Sequence, residues 1–353
     1  SYSDLVGLIA PGLPLLDGSR SECEWGTDPD APAPGIFGPN NLPTLERQDW
    51  VANMNDSYWL TNPAEPVTGY NGILGPEGTE RSLRTRQGIL QIQQRLDGTD
   101  GLGGPNLFDL SNLKEIVLSG HIYSGDLARD AVLNDLCPMA GIYDTAAACN
   151  AIQQWDSAAS LNSVGLPVWK EFWDNLLKQP SNYWLTPFDV NDPVNTPRGL
   201  NTSLSGVHKA LHDAQTRIQD AGLSFSAPLA EQQHSGVNDP TIPIFGAGGA
   251  IGAFTIAEDS ERELDPDTLG PDGYRIDFGN SYINVVTWDS GGVHAEGFLT
   301  YSQSTDPANP HYADFTEAYS QKRWHRFPFH PSEIAADQES QITLEGTPTP
   351  AGN

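Results

Sequence analysis

Apolar residues recur every three to four positions through the middle of the chain, a spacing that is typical of amphipathic helices. This spacing predicts a helix over residues 81–96, a helix-rich stretch from about 107 to 178 and a further helix at 203–221. A late helix is expected within residues 315–329, closed by Pro328. The middle of the chain is therefore predicted to be helical.

Strand-like patterns occur on either side of these helices. Residues 50–60 alternate small or apolar residues with Asn53 and Asn55 and predict one strand. Residues 274–289 and 292–305 are rich in β-branched and aromatic residues and predict two strands joined by a glycine-containing turn. A strand early, helices in the middle and strands late indicate an α+β fold in which a helical excursion interrupts a sheet.

The predicted elements divide the chain into an arm, a core portion and a tail. Residues 26–43 hold five prolines and cannot form a helix. We therefore expect residues 1–48 to be an ordered Pro/Gly-rich arm, with a flexible linker as the alternative. Residues 49–340 are the expected core portion, with the helical insertion at about 107–222, and residues 341–353 are expected to be a frayed tail.

Composition narrows the class of protein. The chain has a formal net charge of −28. Such a surface repels phosphate backbones and anionic lipid, so neither nucleic acid nor a membrane is an expected partner, and it suits a secreted protein. Hydrophobic residues make up 38% of the chain, beside 35 glycines and 28 prolines, which fits a folded, loop-rich enzyme better than a disordered chain. No apolar run approaches the roughly 18 residues of a membrane span.

The chain contains three cysteines. Cys137 and Cys149 flank a short loop that a disulfide would close in an oxidising compartment, with a stabilisation of about 3 kcal/mol. Cys23 is then left as a free thiol, or as the partner of a cysteine on a segment outside this sequence. A zinc site is not predicted, because no Cys-x-x-Cys pair or neighbouring His pair accompanies these residues.

Three further patterns carry little chemistry. His208 and His212 are spaced i, i+4, but the residues between them lack the glutamate of a metalloprotease helix, which favours exposed histidines over a metal site. The run FGAGGAIGAF has neither dinucleotide nor P-loop spacing and predicts a close-packed turn or strand. The carboxylates of residues 258–263 lack the spacing of calcium ligands and predict a solvated acidic face. No metal and no cofactor are predicted.

Two polar patterns are candidates for catalysis. Arg81, Arg84 and Arg86 cluster in a chain with few cations and indicate a wet or anionic site, with a solvated helix start as the alternative. Asn53 and Asn55 place amides inside a predicted strand, against its propensity. One amide could donate an N–H to a developing oxyanion, or both could bond local backbone at a bulge or strand end.

The segment NDSYWLTNP…GYNGILGPEGTERSLRTRQG resembles the β-subunit core of the penicillin acylase family of N-terminal nucleophile (Ntn) hydrolases. The stretches GLPLLDGSRSECEWGTDPDAPAPGIFGP, SGGVHAEGFLTYSQSTDPANPHYADFTEAYSQKRWHRFPF and IQQWD agree with it, and the pieces occur in the family's order. Within the family, the chain is most similar to the acyl-homoserine lactone acylases and the aculeacin A or echinocandin acylases. The middle helices agree only in general character.

This resemblance implies an Ntn-hydrolase αββα sandwich, of which the chain supplies a part. It also implies a secreted precursor that cuts itself into an α-subunit and a β-subunit, with the new amino-terminal serine of the β-subunit as nucleophile and its α-amine as base. The family places that serine far upstream of the asparagine strand, whereas Ser1 lies close before it. We therefore expect the nucleophile on a separate upstream segment, with Ser1 as the alternative. The expected partners are the α-subunit, that upstream segment and a small-molecule acyl amide.

The resemblance also suggests site residues. The family's oxyanion asparagine matches the Asn-Met-Asn run, where we favour Asn55 and keep Asn53 open, because residues one strand repeat apart face the same side. The family's active-site arginine matches Arg81 best and Arg84 second. Cys23 is expected to hold the upstream segment covalently.

The expected function is hydrolysis of an amide that removes an acyl chain from an acyl-homoserine lactone or a lipopeptide of the aculeacin or echinocandin type. A penicillin acylase is the first alternative. A non-catalytic scaffold fragment is the second, since the nucleophile is expected elsewhere. Nothing in the sequence identifies the acyl pocket: Trp155, Trp169 and Trp173 could line it, but their spacing favours core packing.

Overall fold

The computed structural model describes residues 17–139 and 143–346. They belong to two compact units, which we call the N-terminal unit (residues 17–79) and the C-terminal unit (residues 80–346). The start of the predicted arm and most of the predicted tail lie outside the described residues. No helix in the described ranges combines the length and the apolarity that crossing a bilayer would require.

Turns and single-turn helices make up the N-terminal unit. Its 3-10 helices span Ser21–Cys23, Pro39–Asn41, Tyr58–Leu60 and Gly72–Leu74. Side chains fix loops that have no strand ladder: the Asp28 carboxylate accepts hydrogen bonds from the Gly38 N–H at 2.8 Å and from Asn41 Nδ2 at 2.7 Å. These bonds hold the Pro/Gly-rich run in one conformation.

The predicted strand at residues 50–60 is wrong. Residues 51–54 have no regular secondary structure, a bend follows, and Tyr58–Leu60 is a 3-10 helix. Asn53 Oδ1 accepts from the Asn55 N–H at 2.8 Å, and Asn55 has a left-handed φ of 57°. Short polar side chains that bond their own backbone compete with strand pairing. Strand alternation therefore does not set the directions of the two asparagines.

The C-terminal unit contains the predicted helices. They are α1 (Leu83–Asp97), α2 (Leu110–Val117), α3 (Tyr123–Ala131), α4 (Ala146–Gln154), α5 (Leu166–Leu177) and α6 (Ser205–Asp220). A π-helical turn, Val132–Leu136, continues α3. Ser82 caps the start of α1 by accepting from the Thr85 N–H at 3.1 Å, and Gly98 ends it with a left-handed φ of 71°.

Strand pairs complete this unit. β1 (Trp184–Thr186) pairs antiparallel with β2 (Arg198–Leu200), β3 (Gln233–Ser235) pairs parallel with β5 (Tyr274–Ile276), and β4 (Ala257–Glu258) pairs antiparallel with β6 (Phe278–Gly279). A three-stranded antiparallel sheet contains β7 (Tyr282–Asp289), β8 (Gly292–Leu299) and β9 (His325–Phe327) in that order. The β7–β8 hairpin, with Tyr282 opposite Leu299 and Asp289 opposite Gly292, confirms the predicted pair of late strands.

Three short helices occur among these strands: α7 (Ser260–Leu264), α8 (Asp314–Ser320) and α9 (Pro331–Asp337). The predicted late helix over residues 315–329 is too long, because α8 ends at Ser320. Lys322 has a left-handed φ of 52°, and the Arg323 N–H bonds the Ala318 carbonyl at 2.7 Å. The aromatic residues that follow then pair as β9 with β8.

The hydrophobic core of the C-terminal unit gathers residues from its helices and strands. Trp169 stacks between Trp155 and Trp173, with ring centroids 4.9 and 6.0 Å apart, and all three are fully buried. Core packing is therefore their role, as predicted. The predicted Cys137–Cys149 disulfide is present. Cys23 is half-buried and has no disulfide partner within the described residues, and its expected bond to an upstream segment stays a prediction.

Candidate functional site

The two candidate asparagines form a tight turn, which we call the asparagine turn (residues 53–55). Asn53 and Asn55 are exposed, whereas Met54 between them is buried. The bond from the Asn55 N–H is the one hydrogen bond of the Asn53 side chain within the described residues. Because it occupies Oδ1, it fixes the Asn53 amide and directs the Nδ2 donors away from the turn.

Glu77 ties the 69–77 loop to the helical turn that follows the asparagine turn. Its carboxylate accepts from the Gly69 N–H at 2.9 Å, from the Tyr70 N–H at 3.0 Å and from the Tyr58 hydroxyl. These bonds hold the pKa of Glu77 below its ordinary value, while burial and the Glu77 carboxylate raise the pKa of Tyr58 to about 12. Tyr58 also packs edge-on against Tyr70, with ring centroids 5.6 Å apart. The loop and the turn are thus one hydrogen-bonded block.

A cleft of about 730 Å³ lies within the N-terminal unit. Its walls include the apolar side chains of Trp25, Ile36, Phe37, Leu42, Tyr70, Ile73 and Leu74 and the amides of Asn40, Asn41 and Asn71. Trp25 is 65% exposed and Ile73 62% exposed. A cleft of this size and lining suits the apolar part of a small molecule.

Arg81 is 5% exposed and lies immediately before the Ser82 cap of α1. A cation is disfavoured at the amino-terminal end of a helix. Arg84 is half-buried. It donates through Nε to the Phe254 carbonyl at 3.1 Å, and burial lowers its pKa. A role in packing the Gly-rich loop therefore already accounts for Arg84.

Arg86 lies inside the C-terminal unit, fully buried. Its Nε donates to the Val194 carbonyl at 2.7 Å, Nη2 donates to the Tyr123 hydroxyl at 3.2 Å, and the guanidinium covers the Tyr123 ring. Burial lowers the pKa of Arg86. A solvated helix start is thus wrong for Arg81 and Arg86, because neither side chain faces water.

The other sequence patterns are structural. His208 Nε2 lies 2.8 Å from the Thr202 carbonyl, and His212 Nδ1 lies 3.2 Å from the Asp144 carbonyl, so each half-buried imidazole of the predicted exposed pair engages backbone. The Gly-rich run is a buried turn in which Gly252, with φ of 88°, leaves no room for a Cβ beside Tyr123. The described residues contain no cluster of three or more His, Cys, Asp or Glu side chains arranged to hold a metal ion.

The predicted solvated face at residues 258–263 is right for Glu261 and Glu263, which are exposed, and wrong for Glu258 and Asp259. Asp259 is buried and caps α7 by accepting from the Arg262 N–H at 3.0 Å. Burial raises the pKa of Glu258, whose carboxylate accepts from the Gly249 N–H at 3.0 Å. The sequence pattern of alternating acids does not reveal that tertiary contacts bury Asp259 and partly bury Glu258.

A buried charge cluster around Arg262 was not anticipated from the sequence. Its Nη2 donates to Glu171 at 2.7 Å and to Asp174 at 2.6 Å, and the Tyr274 hydroxyl donates to the same Glu171 carboxylate at 2.7 Å. Burial alone would lower the pKa of Arg262, but the attraction of Glu171 and Asp174 raises it. Burial outweighs the attraction at Asp174, whose pKa is raised. The cluster joins α5 to α7 and to β5.

The sequence of the chain matches a known protein family and two characterised relatives. The penicillin amidase family model matches residues 6–336. The chain is 38% identical over 340 residues to the aculeacin-A acylase of Actinoplanes utahensis, covering 94% of this chain and 41% of that protein. It is 33% identical over 336 residues to the acyl-homoserine lactone acylase PvdQ of Pseudomonas fluorescens, covering 93% of this chain and 41% of that one.

A solved structure, the thermostable penicillin G acylase of Alcaligenes faecalis, is 16% identical with a TM-score of 0.37, covering 73% of this chain and 53% of that one. The chain thus spans about two fifths of the length of the acylases that it matches. The family match, which extends over nearly the whole chain, confirms the resemblance that the sequence indicated. The chain belongs to the penicillin amidase family.

Proposed function

We propose that this chain is part of the β-subunit of a secreted acylase that hydrolyses a linear amide and releases an acyl chain. The amino-terminal serine nucleophile lies on an upstream segment of the same precursor, and the assembled enzyme has the Ntn-hydrolase αββα sandwich. The family match and the names of the two relatives support amide hydrolysis. The Cys137–Cys149 disulfide supports an oxidising compartment.

The proposed reaction proceeds through an acyl-enzyme. The serine Oγ attacks the amide carbonyl carbon, its proton passes to the serine's own α-amine, and the carbonyl oxygen becomes an oxyanion. As the tetrahedral intermediate collapses, the C–N bond breaks and the amine leaves with that proton. Water then attacks the ester and releases the carboxylic acid. A neutral amide N–H aimed at the oxyanion stabilises both tetrahedral steps.

The hydrogen bonding of the asparagine turn supports Asn53 as that donor, ahead of Asn55, which the sequence favoured. The Oδ1 of Asn53 is occupied by the Asn55 N–H, so its amide has one orientation and presents Nδ2. Asn55, at a φ of 57°, is the residue that allows the turn. Asparagine adopts this conformation more readily than most residues. Asn55 remains the second candidate.

Arg81 is the proposed arginine of the site and orients the polar end of the substrate. The match of its position to the family's active-site arginine supports this role, and its side chain is buried next to the start of α1. Arg84 is the weaker candidate because its Nε bonds the Phe254 carbonyl.

We propose an acyl-homoserine lactone or a lipopeptide as substrate, in line with the names of the relatives. The cleft of the N-terminal unit offers room for an apolar part of such a molecule. Penicillin is the alternative substrate. Turnover of a series of acyl-homoserine lactones, aculeacin and penicillins by the assembled enzyme, from the full precursor, ranks these classes. If the purified assembly has a serine-bearing partner chain but hydrolyses none of these amides, the acylase proposal fails in favour of a scaffold.

Three variants of the assembled enzyme test the donor. Asn53→Asp keeps the oxygen that accepts from the Asn55 N–H but removes the donor, so we expect kcat to fall about 100- to 1,000-fold. Asn53→Ala should lose a similar factor. Asn55→Gly keeps the left-handed turn without an amide and should retain most of the activity. The reverse result, with Asn55→Gly inactive and Asn53→Asp active, would move the assignment to Asn55.

A further inference from the structure

Asn62 carries a buried amide close to the asparagine turn in the chain, and its side chain is 1% exposed. Its Nδ2 donates to the Trp50 carbonyl at 2.9 Å, and its Oδ1 accepts from the Ala64 N–H at 2.9 Å. Both Asp49 carboxylate oxygens lie 3.4 Å from Nδ2. A buried amide is costly unless it is bonded, and this one is bonded on both atoms.

These bonds fix the chain that leads into the asparagine turn. Asn62 holds the Trp50 carbonyl, and the Thr61 carbonyl accepts from the Ala52 N–H at 2.9 Å. Asn53 is the next residue along. Residues 50–52 are not part of a sheet, so these two bonds replace the ladder that would hold a strand in place.

Asp49 is held in turn by Arg47. Arg47 Nε and Nη2 donate to the two Asp49 oxygens at 2.8 and 2.7 Å, and Arg47 Nη1 donates to Glu65 at 2.7 Å. The bonds from Arg47 therefore hold the Asp49 carboxylate beside the Asn62 donor. A second carboxylate at position 62 would be repelled by it, whereas the amide is attracted.

We propose that Asn62 is a positioning residue that sets the place of the Asn53 donor. The inference rests on the proposed function, in which Asn53 bonds the oxyanion. An oxyanion donor acts only within a few tenths of an ångström of the right place, and misplacement by about 1 Å can cost about 100-fold in rate. By holding Trp50, Asn62 fixes the backbone from which Asn53 extends.

The test is a double-mutant cycle in the assembled enzyme. Asn62→Asp keeps the acceptor for Ala64 but loses the donor to Trp50, and Asn62→Ser is a milder variant that still accepts from the Ala64 N–H. We expect each to lower kcat at least 10-fold with KM within twofold of wild type. In an Asn53→Ala background, the same changes should lower kcat less than twofold further, because the donor that they misplace is gone.

Asn112→Ala is the matched control. Asn112 Oδ1 accepts from the Asp109 N–H at 3.0 Å in the cap of α2, in the other unit. Its loss should lower the melting temperature with no change in kcat, which separates a general loss of stability from a loss of positioning.

Each result decides between the roles. Losses that multiply in the double variants, or a lowered melting temperature with unchanged kcat in both Asn62 variants, would show a purely structural role and overturn the positioning inference alone. An unchanged kcat in Asn53→Ala would overturn the donor itself and the positioning inference with it. A loss of kcat in each single variant, with little further loss in the double variants, would support both the Asn53 donor and the positioning role of Asn62.

Discussion

Between Asp17 and Thr79 the described chain consists of turns and single-turn helices, whereas from Glu80 onward helices and paired strands surround a large apolar core. In the first region, carboxylate side chains accept from backbone N–H groups, the Asn62 amide donates to a backbone carbonyl, and these bonds fix the loops. In the second, stacked tryptophans and a buried ion-pair cluster hold the elements together. The candidate donor amide therefore lies on backbone that polar bonds position, so small polar changes should affect it more than they affect the core.

The largest expected effect is in the core. Trp169→Ala should lower the free energy of unfolding by about 3 to 5 kcal/mol, because it empties the space between two stacked rings. Trp25→Ala, which removes a ring that is 65% exposed, should change it by less than about 0.5 kcal/mol. Urea denaturation of both variants measures the difference. Equal losses would mean that the two units do not differ as described.

The next effect concerns ion pairs. Arg262→Met leaves the buried Glu171 and Asp174 carboxylates without their cation and should cost about 3 kcal/mol of unfolding free energy. Arg20→Met breaks an exposed pair with Glu22 and should cost less than about 1 kcal/mol. Thermal denaturation compares the two. A cost at Arg20 that matched the cost at Arg262 would contradict the assignment of the buried cluster as a structural support.

A smaller and local effect is expected at the 69–77 loop. Glu77→Gln loses the charge that accepts three hydrogen bonds, so the loop should open more often and be cut faster by a protease. Glu65→Gln, on the exposed pair with Arg47, is the control. Limited proteolysis with mass spectrometry locates the cuts. Faster cutting in residues 80–346 would argue against a local role for Glu77.

The smallest effect is a difference in response to acid. Hydrogen bonds lower the pKa of Asp28 and Glu77 in the N-terminal unit, so their stabilisation is complete above the unfolded-state pKa and is lost as pH falls through the lowered value. Burial raises the pKa of Asp174 and Glu258, so their effect has the opposite sign: stability falls as pH rises from the unfolded-state pKa through the raised value.

On acidification from pH 7, residues 17–79 should therefore become susceptible to pepsin at a higher pH than most of residues 80–346. Exposed turns of the C-terminal unit also contain carboxylates with a lowered pKa, at Asp239, Asp289 and Glu333. These turns should loosen locally over the same pH range as the N-terminal unit. Mapping the cuts at successive pH values checks the order. Cuts that appear first inside α5 or α6 would contradict it.

Helices and the hairpin were predicted well where apolar spacing or β-branched residues with a glycine turn determine the local structure. Helix α1 and helix α6 follow their apolar spacing closely, and the β7–β8 hairpin follows its β-branched residues and glycine turn. The candidate site was less predictable. The Asn53–Asn55 alternation resembles a strand, but the Asn53 side chain bonds the Asn55 backbone N–H instead, an alternative that the residue type allowed and the alternation did not reveal.

The local sequence around Asn62 predicts a turn but not the burial of its side chain. Asn62 precedes Pro63 in an Asn-Pro pair, which marks a turn, and a turn was the only inference that local sequence allowed. Its burial and its bond to Trp50, twelve residues earlier, depend on how the chain folds back on itself. The arginines behave likewise: Arg86 is buried by Val194 and Tyr123, which lie far along the chain.

The sequence by itself determined the family, the helical middle, the late hairpin and the Cys137–Cys149 disulfide, because local periodicity, turn residues and motif order are written along the chain. Only the tertiary structure decided that residues 50–60 form a turn and a 3-10 helix, that Asp259 is buried and Glu258 partly buried, and that the Asn62 amide is buried against the Trp50 carbonyl. Each of these depends on which side chain reaches which backbone group, and hydrogen bonds of that kind are selected by three-dimensional proximity that no repeating pattern encodes.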